Sequence, residues 1–428
     1  MNYYSRIVDE ELDIFLDAFG AVLITGPKWC GKTTSATQKA KSILKLQDPD
    51  KSLGYLKTAE TKPSLLLKGE NPRLIDEWQM APVIWDAVRT FIDDKGEDGL
   101  FILTGSTSVD ESKIMHSGTG RIARLKMLPM SLYESKESNG LVSLNKLFKE
   151  HKYDIDGIKS ALTIEKLVFA ACRGGWPSSL NKKTDRAKLL VARAYVDNII
   201  ESDISSVNNT NRNSTKVRSL LKSYARNIGT IASNKTILED INANTSFSSS
   251  AYYDYLNALH RLFVINNIPA WNPSIRSKTS IRSTNKRMFV DPSIMVASLG
   301  LSPDMLLQDF NTFGFIFENL CIRDLTVYAM ALGGKISYYR DRSDLEVDAV
   351  LHLDDGRYAL IEFKLGSKGI EEGASHLLEV VDLINKANES KKGQSLKEPD
   401  LLIIITGGDM AYTRSDGVKI IPIGCLKD

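Results

Sequence analysis

Short uninterrupted apolar runs alternate with longer amphipathic stretches along most of the chain, the pattern expected of α/β domains with buried strands. "AVLIT" (21–25) and "LFILT" (100–104) read as buried strands of a parallel sheet, and "RLID" (73–76) as a neighbour of them. Between the first two, "TSATQKAKSILKL" (34–46) is rich in helix formers and predicts a helix. From about Thr163 to Val207 the periodicity is mainly helical, broken at "RGGWP" (173–177), where glycine and proline force a turn.

Further along, "TKVRSLLKSYARNIG" (215–229) places Val217, Leu220, Leu221, Tyr224 and Ile228 on one helical face, with Gly229 as its stop. Lys216, Arg218, Lys222 and Arg226 fall largely on the other faces. "KTILEDIN" (235–242) and "SSSAYYDYLNALHRLF" (248–263) predict two more helices, the second N-capped within Ser248 to Ser250. Three helices followed by "FVINNIPAW" (263–271) and "KRMFV" (286–290) resemble a winged helix, whose second motif helix would face the major groove of DNA.

Near the C-terminus the period changes to two. "LEVDAVLHLDDGRYALIEFKLG" (345–366) holds two alternating runs around Asp-Asp-Gly, the form of a β-hairpin. Its register decides its chemistry. A three-residue loop at Asp354, Asp355 and Gly356 puts Asp348 opposite Glu362, whereas a two-residue turn would pair Asp348 with Phe363 and turn the aspartate to the other face. The three-residue loop is expected, because it also keeps Ile361, Phe363 and Leu365 on one buried face.

Composition narrows the function classes. The 428 residues exceed one ordinary domain, and the 55 Lys+Arg against 53 Asp+Glu leave a net charge of +2, so any basic surface must be local. No apolar run reaches the ~18 residues that span a bilayer, and the N-terminus lacks a signal-peptide pattern, so a cytoplasmic protein is expected. Cys30, Cys172, Cys321 and Cys425 are scattered without a C-x-x-C pair, which argues against a zinc site or a disulfide scaffold.

The first candidate chemistry is "GPKWCGKTT", Gly26 to Thr34, which fits G-x-x-x-x-G-K-S/T between a predicted strand and a predicted helix. In such a loop the backbone amides of Gly26, Pro27, Lys28, Trp29, Cys30 and Gly31 surround phosphate oxygens wherever an N–H exists. Lys32 would reach the terminal phosphates, Thr33 would ligate Mg2+, and Thr34 continues the helix start. "RLIDEWQ" supplies the acidic partner: Asp76 to support the metal and Glu77 to polarise attacking water. After the next strand, Ser106 is the candidate phosphate sensor. Arg121 and Arg124 follow a flexible glycine pair; Arg121 as a finger toward a γ-phosphate, or as a surface partner of a carboxylate, are both open.

The second candidate lies in the hairpin. Asp348, then Glu362 and Lys364 in E-x-K, with Glu318 on the helical "GFIFENLCIRDL", resemble the PD-(D/E)xK restriction-nuclease fold. That resemblance implies carboxylates Glu318, Asp348 and Glu362 that bind Mg2+, and a lysine that positions or deprotonates the nucleophile. An inert, non-cleaving version of the fold is the open alternative. A third feature is Arg276, Lys278, Arg282, Lys286 and Arg287, with no acidic residue between Trp271 and Val290, which could hold the phosphate backbone of double-stranded DNA.

The Walker-type stretch, "LIDEWQMAP", "FILTGST", "GTGRIARLKMLPMSLYE", "RGGWP", "AYVDNIIESDI", "KRMFVDPSIM" and "YYRDRSDLEVDAVL" together resemble prokaryotic AAA-type ATPases with a C-terminal domain of unassigned function. The resemblance implies ATP binding and hydrolysis; a homo-oligomer or a protein partner is a separate expectation. The expected architecture is an α/β P-loop ATPase domain (1–135), a helical connector (136–210), a winged-helix-like segment (211–300) and a restriction-endonuclease-like α/β domain (301–428).

Overall fold

The computed structural model describes residues 3–105, 117–150, 152–243, 245–274, 283–341, 343–390 and 395–428. The chain divides into two compact units, one of residues 1–129, 202–211 and 257–264, the other of 130–201, 212–256 and 265–428.

The first unit is built on a five-stranded sheet. Its helices are α1 (Val8–Ala18), α2 (Lys32–Lys39), α3 (Ser52–Thr61) and α4 (Val83–Lys95). Its strands are β1 (Ala21–Thr25), β2 (Ser42–Lys45), β3 (Arg73–Asp76), β4 (Phe101–Thr104) and β5 (Ile122–Lys126). They run in the order β2-β3-β4-β1-β5, every pair parallel. Apolar side chains on one side of the sheet, among them Leu23, Ile75, Phe101 and Leu103, pack with Trp78, Ile84, Trp85 and Val88. Removing such side chains from water, at about 25 cal/mol per Å2 of apolar surface, is the main force holding the layers together.

The helix expected over 34–46 is shorter than its composition suggests. It ends at Lys39, and Ser42–Lys45 instead forms β2, paired in register with β3 from Ser42↔Arg73 to Lys45↔Asp76. Propensity favoured a helix here, but pairing with β3 and burial of Leu44 (3% exposed) outweigh it.

The second unit holds a two-stranded pair and a mixed six-stranded sheet. β6 (Val142–Ser143) pairs with β13 (Leu426–Lys427). The larger sheet comprises β7 (Gly334–Arg340), β8 (Glu346–Leu353), β9 (Tyr358–Lys364), β10 (Leu401–Thr406), β11 (Tyr412–Thr413) and β12 (Lys419–Pro422), in the order β11-β12-β10-β9-β8-β7. The helix Phe310–Ala331 packs on β7 to β9, and the helix Ile370–Glu389 on β8 to β10.

The β8–β9 hairpin has the three-residue loop. Ala349 pairs with Ile361 and His352 with Tyr358, Leu353 N–H donates to Arg357 O at 2.8 Å, and Gly356 takes φ +84°, the left-handed value its loop position requires. Continuing that register sets Asp348 against Glu362. Ile361 and Phe363 are buried as expected, but so is Glu362, because layers cover both faces of β9.

Within 130–201, "RGGWP" ends the helix Ile164–Arg173, and Gly174 takes φ +74°. The helices Ser214–Arg226 and Asn234–Asn242 fall where the periodicity placed them; Val217, Leu220, Leu221 and Tyr224 of the first are buried, as is Ile228, which lies just beyond its end. The helix Ser249–Arg261 follows, with Ala251 N–H donating to Ser248 Oγ at 3.1 Å. Ile265 and Ile268 then bridge antiparallel to Phe289 and Lys286.

Candidate nucleotide site and C-terminal carboxylate cluster

β1 delivers Gly26 at the C-terminal edge of the parallel sheet, where loops between strands and helices gather. Gly26 has φ +148°, and a Cβ there would sit 2.0 Å from Met127 O, so only glycine lets the loop lie against the end of β5. Trp29 at φ +65° and Gly31 at φ +104° curl the loop back to the first turn of α2. The result is a bowl of backbone groups at a helix N-terminus.

Two groups brace this bowl from beneath. The buried guanidinium of Arg6 donates to Cys30 O at 2.7 Å and to Leu128 O at 2.8 Å. Cys30 is fully buried with Sγ 3.7 Å from Met127 O, a packing role consistent with its free position in the motif. Nothing in local sequence marks Arg6, whose partners lie 24 and 122 residues away.

The Lys32 ammonium spans the loop, donating to Gly26 O at 2.9 Å and Pro27 O at 2.7 Å. Lys28 points elsewhere and pairs with Asp203 at 2.7 Å. Thr33 Oγ1 donates to Asp76 Oδ1 at 2.7 Å, so the expected metal-binding hydroxyl and carboxylate do converge. Thr104 Oγ1 donates to the same oxygen at 2.6 Å, and Gln47 Nε2 to Oδ2 at 3.2 Å. The register accounts for this: Asp76 ends β3 directly beside Thr104, which ends β4.

Glu77, next along, takes φ +56° and accepts a hydrogen bond from Gln79 Nε2. Thr34 lies on the first turn of α2. Ser106 falls outside the described residues. Arg121 Nε donates to Asp93 Oδ1 at 2.7 Å on the surface, and Arg124 lies over the Trp85 ring at 5.9 Å. The described geometry therefore pairs Arg121 with a carboxylate of its own unit.

In the second unit the carboxylate cluster forms, with two members sequence reasoning did not place there. Lys286, expected on a basic DNA-facing surface, is 1% exposed, and its Nζ lies 2.7 Å from Glu318 Oε1, 2.7 Å from Glu346 Oε1 and 3.5 Å from Asp348 Oδ1. Glu346 is the second addition. It stands two residues before Asp348 on β8, so the period of two that puts alternate residues on one face was the available signal. Arg287 is also buried and donates to Ala232 O and Asn234 Oδ1, so neither it nor Lys286 faces a phosphate backbone. Arg276, Lys278 and Arg282 lie outside the described residues.

Glu362 faces its E-x-K partner: Lys364 Nζ lies 3.1 Å from Glu362 Oε2, and His376 Nδ1 4.0 Å from it. Asp348 Oδ2 accepts from Phe363 N–H at 2.9 Å. Glu318, Glu346, Asp348 and Glu362 thus gather around two ammonium groups, with Arg340 Nη1 3.2 Å from Glu346 and Glu372 3.8 Å from Lys364 at the margin. Burial, with Asp348 adding to it, pushes the Glu362 carboxyl up to about 8 against the pull of Lys364. Burial likewise pushes Glu318 up to about 7, opposed by Lys286. Burial works against the Lys286 ammonium, but Glu318, Asp348 and Glu346 outweigh it and hold its proton well above the ordinary lysine range. Loss of water around Glu362 and Glu318 is thus the main cause of their upward shifts, and the neighbouring Asp348 adds to it, so these two acids retain protons near neutral pH.

Oxygen donors of Thr33 and Asp76 suit Mg2+ beside a loop shaped for phosphate. The C-terminal carboxylates do not suit it as they stand, because an ammonium already lies among them; among the described residues no group of three or more His, Cys, Asp or Glu is arranged to hold a metal ion.

Comparison with known proteins bears on the domain that carries the first of these sites, not on its residues. Residues 18–136 match the family model described as AAA domain. Residues 164–305 and 313–426 match two domains of unknown function, DUF8612 and DUF4143 respectively. A comparison with curated proteins finds no match. Among solved structures the chain is similar to the Walker-type ATPase PABY2304 of Pyrococcus abyssi, with 15% identity, coverage of 69% of this chain and 96% of that one, and a TM-score of 0.40. It is also similar to two variants of RuvB from Thermotoga maritima, at 17% and 16% identity, each covering 61% of this chain, with 89% and 87% of those chains covered and TM-scores of 0.27 and 0.24. The N-terminal part is an AAA-type P-loop ATPase-like domain with a parallel sheet. Among the described residues no helix is long and apolar enough to cross a membrane.

Proposed function

We propose that the chain binds ATP with Mg2+ at Gly26 to Thr34 and hydrolyses it. The observation that carries this reading is the meeting of Thr33 and Thr104 on one oxygen of Asp76 beside the loop that Lys32 spans. Lys32 would hold the terminal phosphates, and Thr33 with Asp76 would hold Mg2+, which supplies charge neutralisation on the phosphoryl oxygens when bound. Glu77 would accept a proton from the attacking water, with Gln79 orienting its carboxylate. Ser106 is the proposed sensor, and Arg121 the proposed finger in a neighbouring copy once it leaves Asp93.

Two variants test the reading. In Lys32→Ala, ATP binding measured by calorimetry is lost. In Glu77→Gln, binding persists while turnover falls by roughly 10²–10⁴, the usual contribution of a general base. Unchanged turnover in Glu77→Gln removes that residue from the chemistry.

The same reading extends to DNA. Three consecutive helices followed by the antiparallel bridges Ile265↔Phe289 and Ile268↔Lys286 support a winged-helix-like segment. With Lys286 and Arg287 turned inward, duplex binding would rest on Arg276, Lys278 and Arg282. Salt-sensitive binding of a duplex that survives neutralisation of all three removes this interface.

For the C-terminal domain, the hairpin register and the grouping of Glu318, Asp348, Glu362 and Lys364 support a restriction-endonuclease-like fold. The position of Lys286 favours the second reading of its role, an ATP-switched DNA- or protein-binding module without cleavage, over a Mg2+-dependent nuclease. Magnesium-dependent nicking of plasmid by the wild-type chain, lost in Glu362→Ala, would overturn that preference.

A further inference from the structure

We propose that Lys286 is the resident cation of the C-terminal carboxylate cluster, and that its ammonium excludes divalent metal from Glu318, Glu346 and Asp348. The inference rests on the nuclease-like reading of these carboxylates and gives the physical reason the wild-type domain would not cleave.

Three observations carry it. An ammonium has three N–H donors and no acceptor, and Lys286 meets three carboxylates at 2.7, 2.7 and 3.5 Å. These acceptors come from separate elements, the helix Phe310–Ala331 and β8, so the lysine sits at their common focus. The backbone at Lys286 is itself pinned: its N–H donates to Ile268 O at 3.0 Å and its carbonyl accepts from Ile268 N–H at 3.2 Å. The side chain is 1% exposed and passes 5.9 Å from the Tyr338 ring.

The geometry leaves Mg2+ no place. Magnesium requires several oxygens in a near-octahedral shell at about 2.0–2.1 Å. Two of the candidate ligands already accept from the ammonium at 2.7 Å, and a dication entering the same focus would meet a like charge at close range. Asp348 Oδ2 is further held by Phe363 N–H at 2.9 Å. Asn or Gln in the acidic positions would have made the cluster inert by deletion. Here the acids are kept and an ammonium occupies their common focus instead.

The test is Mn2+ binding to the full chain without nucleotide, read by calorimetry, for wild type, Lys286→Ala and Lys286→Gln. The expected result is no carboxylate-dependent site in wild type and a gain of about tenfold or more in affinity in a lysine variant, abolished by adding Asp348→Asn. Circular dichroism identifies variants that fold, and Lys286→Gln retains donors for the carboxylates should Lys286→Ala not fold. Mn2+ binding by wild type that Asp348→Asn abolishes overturns the inference and leaves the nuclease-like reading intact. Folded lysine variants that bind no Mn2+ overturn the nuclease-like reading itself, and the inference with it.

Discussion

Thr104 Oγ1 donates to Asp76 Oδ1 at 2.6 Å, across two strands that end side by side at the edge of the sheet. The bond is buried, and its acceptor is the carboxylate proposed to steer Mg2+. Thr104→Val keeps the shape and removes the donor. A hydrogen bond to a charged group contributes roughly 1.5–3 kcal/mol, so urea denaturation should show a loss of that order. ATP turnover should fall as well, and Thr104→Ser should restore both. A valine variant with wild-type stability would show that water replaces the hydroxyl at no expense.

Gly26→Ala is expected to abolish nucleotide binding. The added Cβ would lie 2.0 Å from Met127 O, a backbone atom that cannot swing aside, at a φ of +148° that L-residues avoid. Gly54→Ala serves as a control, since a Cβ there meets nothing within 4 Å. Equal ATP affinities for the two variants by calorimetry would count against a phosphate bowl at Gly26.

Arg323 occupies a buried network of a different kind. It lies 3.1 Å from Asp291 Oδ2 and 2.7 Å from Asp324 Oδ1, while Asp291 also accepts from Gly175 N–H and Asp324 from Leu132 N–H, each at 2.9 Å. Removing the cation strands two buried acids, so Arg323→Ala should lose about 3–5 kcal/mol by chemical denaturation. Because the guanidinium reaches both carboxylates at once, Arg323→Lys should recover little of that.

The carboxylate cluster predicts how stability depends on pH. Glu318 and Glu362 are raised in the folded chain to about 7 and about 8. A raised acid stabilises most where it is protonated in both states, below its ordinary value near 4.5, and loses that contribution as pH climbs through the folded value. Lys286 is shifted upward too, so its contribution stays constant across this window. The Tm should therefore fall between about pH 4.5 and about pH 8 and level off above, with each kcal/mol lost lowering it by roughly 2–4 °C. Glu362→Gln should flatten the slope. A slope identical to wild type would mean that Glu362 titrates normally.

The phosphate loop was legible in the sequence because its chemistry is local. Six residues between a strand and a helix determine the backbone path, and glycines at both ends permit the positive φ values that Gly26 and Gly31 show. The hairpin was legible for a similar reason: turn length and alternation decide register, and Asp354-Asp355-Gly356 admits one that keeps Ile361 and Phe363 buried. Strand β2 was not, since its composition suits a helix and only a partner 31 residues away selects the extended form.

Charge partners were the least legible of all. A run of Lys and Arg between Trp271 and Val290 looks the same whether it faces solvent or a buried acid, because charge density along a chain carries no direction. Tertiary packing decided that Lys286 meets Glu318, Glu346 and Asp348, residues 32 to 62 positions away, and that Arg6 braces a loop whose motif lies well beyond it. Sequence by itself determined the groups whose geometry is set by neighbouring φ and ψ. Long-range electrostatics, which depends on where burial leaves a charge no alternative partner, belonged to the fold.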